Sequence, residues 1–93
     1  PNATTDTVTI HGIVMQIKTP NSAELSGMIT LFGAVTDKVC KIQTELAGRD
    51  YILAIKAYQE RIPVFCRGDL IQENDTFFLE NSHDLTLDET WHN

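Results

Sequence analysis

Asp50-Tyr51-Ile52-Leu53-Ala54-Ile55-Lys56-Ala57-Tyr58-Gln59-Glu60-Arg61 decides the fold, because it is the one stretch of this chain that reads as a helix. Tyr51, Ala54, Ile55 and Tyr58 fall at i, i+3, i+4 and i+7, the spacing that gathers side chains on one helical face. Asp50 suits an N-cap or first turn, where backbone N–H groups favour an acid, and Arg61 suits the opposite end. Pro63 stops the helix just beyond.

On either side the chain reads as strand. Val8–Ile17, Met28–Phe32 and Val39–Ile42 precede the helix; Val64–Ile71 and Thr76–Glu80 follow it. A β-β-β-α-β-β order in 93 residues predicts a mainly β domain, a small five- or six-stranded Greek-key barrel with one helix. In the first run Val8, Ile10, Gly12 and Val14 share one parity, whereas Ile13, Met15 and Ile17 share the other. Side chains alternate faces along a strand, so this switch predicts a bulge or bend at Gly12, or a strand buried on both faces. Thr19-Pro20-Asn21-Ser22 reads as a turn. Cys40 and Ile42 alternate with Val39, Lys41 and Gln43, the pattern of a half-exposed strand. Ala47-Gly48-Arg49 ends it. Residues 64–80 read as a hairpin turning at Gln72–Asp75, with Gly68 at a bend. Tyr51 and Tyr58 suit a cover over the open end of the barrel better than a ligand-stacking pair. Asn81-Ser82-His83-Asp84 has turn composition, so the barrel is expected to span residues 1–81. Residues 82–93 then form an acidic tail or edge strand, whose Leu85, Leu87 and Trp91 are candidates for docking.

Length and charge narrow the function. A domain this small buries only about 60–65% of its unfolded surface, leaving little core for a deep cavity, and no cofactor is expected. A chain that begins at Pro1 without Met reads as a segment of something longer. The net charge is −6. Residues 1–68 balance at +1, while residues 69–93 hold seven acids and no Lys or Arg. That end suits a solubilising tail or a dock for a basic partner, and it would repel a phosphate backbone. Cys40 and Cys66 read as two buried, reduced thiols, which makes the cytoplasm the expected compartment. His11, His83 and His92 stand apart from one another and from both cysteines, so no metal site is expected. His11 reads as an ordinary surface histidine beside Thr7 and Thr9. With no nucleophile motif and no phosphate-cradling loop, an enzyme is not expected.

Asp50-Tyr51-Ile52-Leu53-Ala54-Ile55-Lys56-Ala57, followed by Pro63-Val64-Phe65-Cys66-Arg67-Gly68-Asp69-Leu70, resembles a pattern near the C-terminus of many uncharacterised bacterial proteins. There a "DY..A..A" helix leads into a "V.V.G.L" strand, a short turn and a final strand; Leu79-Glu80-Asn81 is similar to their ending. The "V.V.G.L" element also resembles the fourth strand of many OB-fold proteins. This resemblance covers residues 50–81. It implies a small OB-like accessory barrel on a larger protein and carries no catalytic residue.

Two binding functions remain. The first is a protein-interaction or regulatory module, engaging a protein partner or another copy through an open sheet edge or the acidic end. The second is single-stranded nucleic-acid binding, the common use of the OB architecture. Bases would then stack on aromatics of the second and third strands beside cations. Phe32, Lys38, Lys41 and Gln43, with Arg67 nearby, are the candidates. Only Phe32 among them is aromatic, and the plainer reading makes it core and Lys41 a solvated lysine. The protein-binding reading is preferred.

Overall fold

In the computed structural model, which describes residues 7–21 and 23–91, the elements follow the expected order. Strands β1 (Thr7–Asn21), β2 (Ser26–Val35) and β3 (Lys38–Ala47) lead into helix α1 (Gly48–Glu60), and β4 (Val64–Glu73) and β5 (Thr76–Leu87) complete the chain. Around the sheet they run β1-β2-β3-β5-β4 and close, β4 pairing back onto β1. This is the OB-like Greek-key barrel predicted, with five strands. The ring closes through short ladders: Thr7–His11 pair with β4 alone and Ile13–Asn21 with β2 alone, so stretches of strand edge stay open. The narrowest seam is the parallel one, β3 against β5, where pairing runs only from Ile42↔Phe77 to Thr44↔Leu79. Beyond it, Thr44 and Ser82 both donate to the Leu79 carbonyl.

β1 serves both halves of the barrel. Thr7–Gly12 pair with β4, and Gly12–Asn21 pair with β2. Gly12 therefore faces Val64 on one side and Gly33 on the other, and a Cβ there would lie 2.7 Å from the Phe32 carbonyl oxygen. It is a close approach, and the predicted irregularity lies further on. The register steps from Val14↔Leu31 to Gln16↔Thr30, which leaves Met15 as the extra residue of a bulge. Ile10 and Val14 thus point into the core before the bulge and Ile17 packs against it afterwards, while Ile13 and Met15 point outward. Thr19-Pro20-Asn21, predicted as a turn, continues β1 as far as the Asn21↔Ser26 pair. A second register shift between Lys18 and Asn21 accommodates that proline, which has no N–H to give a ladder. Pro1–Asp6, Ser22, His92 and Asn93 lie outside the described residues.

The helix starts two residues earlier than predicted. Gly48, at a φ of 63°, turns the chain out of β3 and donates its N–H to the Leu25 carbonyl. Asp50 is a first-turn acid, and Arg61 is the left-handed C-cap. Tyr51, Ala54 and Ala57 are buried, with Leu53 and Ile55 packed beside them. Tyr58 is rotated outward, so only one of the two tyrosines covers the barrel.

β5 runs past residue 81, contrary to the expected domain limit. Phe65↔Thr86, Arg67↔His83 and Asp69↔Glu80 set two residues of β4 against three of β5, twice in succession. The extra residues fall where Asn81 and Asp84 have φ of 54° and 55°. Asn and Asp tolerate this left-handed conformation better than most residues. A sequence with the composition of a turn is here a double bulge that bends one continuous strand around the barrel. Leu85 is wholly buried among Ile29, Leu31, Ile42, Val64 and Cys66. A buried leucine is worth about 2–5 kcal/mol against alanine, so residues 82–87 are barrel and not tail.

Gly68 faces these bulges: a Cβ there would lie 2.7 Å from the Glu80 carbonyl oxygen and 2.8 Å from Leu79 Cγ. Gly68→Ala is therefore expected to cost roughly 1–3 kcal/mol, read as a lower urea midpoint. The Thr30 hydroxyl is buried without a hydrogen-bond partner. Thr30→Val removes that desolvated group and is expected to stabilise the fold by about 1 kcal/mol, read as a higher urea midpoint.

Candidate interaction face

The outer surface of β1, β2 and β3 carries the unusual side chains. The β2–β3 connection is two residues, Thr36 and Asp37, both at positive φ, a twist that suits a tight hairpin. That turn sets Ala34 across from Val39 and Phe32 across from Lys41, while β1 brings Ile13 beside Phe32. Ile13, Met15, Phe32 and Val39 are all solvent-exposed, Val39 by 75%. They border a depression of about 400 Å³ together with His11 and Trp91. A second depression of about 590 Å³ lies between Ile13, Met15, Trp91 and the end of α1 at Tyr58 and Arg61. Ile13, Met15 and Trp91 belong to both, which makes the surface continuous. Contiguous apolar surface of this kind marks interaction sites in small proteins.

Trp91 reaches this face because the chain after β5 is pinned. The Asp88 N–H donates to the Pro63 carbonyl at 2.8 Å. Its buried carboxylate accepts from three donors: Thr90 Oγ1 at 2.6 Å and Thr90 N at 3.0 Å on Oδ1, and His11 Nε2 at 2.9 Å on Oδ2. The Trp91 N–H then donates to the Asp88 carbonyl. His11 is in turn stacked on Phe65, centroids 4.4 Å apart and planes 14° from parallel. The Thr90 hydroxyl holds the Asp88 carboxyl below its ordinary value against the opposing effect of burial, with the Thr90 N–H and His11 adding to it. A carboxylate so fully engaged acts as an anchor. His11 is at the surface, as expected, and is also a structural partner of a residue 77 positions away.

The predicted site residues separate. Phe32 is exposed by 42%, so the plainer reading of it as core is overturned, and Lys41 flanks it directly. Lys38 closes the same hairpin opposite Val35. Gln43 lies elsewhere, half-buried in a groove between β3 and β5 with Glu45 and Glu80. Arg67 sits on β4 between Thr9 and His83. Of the proposed docking residues, Leu85 is core, Leu87 pairs with Val64 and is partly buried, and Trp91 alone is at the surface. Both cysteines are free; Cys66 is buried, and burial pushes its thiol up to about 11, while Cys40 is half-buried. Among the described residues no three His, Cys, Asp or Glu side chains gather as metal ligands, and no helix is long and apolar enough to cross a membrane.

Sequence reading missed Ile13, Met15, Ala34 and Val39 as one surface. The available signal was apolar residues on the outward parity of strands that otherwise alternate. The His11–Asp88 pair left no signal at that separation. No family model, curated protein or solved structure matches this chain.

Trp91 is the only tryptophan, so its emission reports the anchor. Asp88→Ala is expected to shift that emission to the red and increase its quenching by acrylamide. The carboxyl is lowered from 3.8 in the folded state, so its stabilisation is present above that value and is lost as pH falls through the lowered one. An acid titration of the native chain should show the same red shift there, and Asp88→Ala should show none.

Proposed function

We propose that this chain is a non-enzymatic protein-interaction module, an accessory or regulatory domain of a larger protein, that receives its partner on the outer face of β1–β3. The observation that carries this reading is the continuous apolar surface formed by Ile13, Met15, Phe32, Val39 and Trp91. Exposed aliphatic and aromatic groups of this sort gain most by excluding water against a complementary apolar surface. The net charge of −6 argues the same way, since nucleic-acid binding draws its affinity chiefly from cations that neutralise phosphates.

One observation favours the second reading, single-stranded nucleic-acid binding: Phe32 stands exposed with Lys41 directly across from it. An aromatic beside a cation is the unit of a base-stacking platform. The immediate neighbours of Phe32 weigh against it, because Ile13, Ala34 and Val39 offer no ring, and the other rings of the face, Trp91 and Tyr58, are not paired with Phe32 or Lys41 across the strands.

Titration with oligo(dT), followed through Trp91 emission at low and moderate salt, separates the two. No binding tighter than the non-specific range of about 10⁻⁴–10⁻⁶ M is expected. Saturable binding far tighter than this, weakening steeply with added salt, overturns the protein-docking reading in favour of nucleic acid.

A further inference from the structure

The partner's chemistry can be read from the charges around this face. The chain holds thirteen acidic residues, yet neither depression has an Asp or Glu in its lining, while Arg61 lines one of them. Lys41 stands beside Phe32 at the other end of the surface. Among the described residues neither Lys41 nor Arg61 is in an ion pair. An acidic protein thus presents an apolar face with a cation toward each end.

From this we infer that the occupant is a peptide segment of another protein, carrying apolar anchor residues flanked by carboxylates. The inference rests on the docking reading above and adds the identity of the ligand class. The two depressions, sharing Ile13, Met15 and Trp91, receive two apolar side chains, one on each side of that ridge. The flanking acids of the segment meet Lys41 and Arg61. Met15, unbranched and projecting from a bulge, adapts to anchors of different shape. A second copy of the chain is a poor occupant. A two-fold contact sets the same patch against itself, so it would juxtapose the cations of one copy with those of the other.

The test is selection from a displayed random-peptide library against the full chain, with counter-selection on Phe32→Asp and Val39→Asp. Val39 is 75% exposed, so its substitution leaves the barrel intact even if Phe32→Asp perturbs it. The expected result is enriched peptides with paired apolar residues and adjacent Asp or Glu. Their binding should weaken by about fivefold in each of Lys41→Glu and Arg61→Glu, the upper end for an exposed ion pair. Enriched peptides that lose binding in Val39→Asp but are neutral or basic overturn the assigned ligand class and leave the docking face standing. Failure to recover any peptide that depends on Phe32 or Val39 overturns the docking face itself. Tight, salt-sensitive oligo(dT) binding abolished by Val39→Asp overturns both.

Discussion

The barrel depends on one strand pairing in two directions. β1 gives its first half to β4 and its second half to β2, and Gly12 is the residue at which both neighbours are present. Each half of β1 is laddered on one side, and the overlap at Gly12 joins the two ladders into a ring. Without this hand-over the sheet would stay open between β1 and β4, and Ile10, Val64 and Cys66 would lose the enclosure that makes them core. The hand-over needs the two backbones in close contact, and no side chain at Gly12 could share that space with the Phe32 carbonyl.

Closure also shapes the outside. A cylinder this small holds few side chains, and β1 must bend to wrap it. The bulge at Met15 supplies the bend and keeps Val14 and Ile17 both directed inward despite their odd separation. Ile13 and Met15 are left outside, next to Phe32 and Val39. The apolar face is therefore a by-product of the strand geometry only in position. The choice of isoleucine, methionine, phenylalanine and valine there is not required by the barrel, which would close as well around polar residues. β5 solves the same bending problem differently, with left-handed Asn81 and Asp84, and Gly68 leaves room opposite them.

A polar cluster links the fold to the face. Asp88 ties the chain beyond β5 to Pro63 and to His11, and that fixes the backbone from which Trp91 extends. Its energetic role is local. Satisfying a buried carboxylate with three donors removes the penalty of burying it and orders the residues after it. The consequence is that the last described residue of the chain contributes to a surface built mainly by β1, β2 and β3.

Element order, the helix, the β4–β5 hairpin and most of the core were legible in the sequence. These follow from short-range facts: periodicity of 2 or 3.6, turn composition, and proline where a helix must end. Where reading failed, composition was ambiguous between two geometries. Asn81-Ser82-His83-Asp84 looks the same as a turn or as two bulges, because both need residues that tolerate positive φ. Phe32 looks the same inside or outside a strand whose every other residue is apolar. Only the closed tertiary structure decides such cases, since it alone says which parity faces the axis and which partner each strand has. It also brings His11 to Asp88 and Trp91 to Ile13, pairs that no local pattern encodes. Local periodicity and turn chemistry set what the barrel is made of. How the ring closes determined which of those residues meet solvent together.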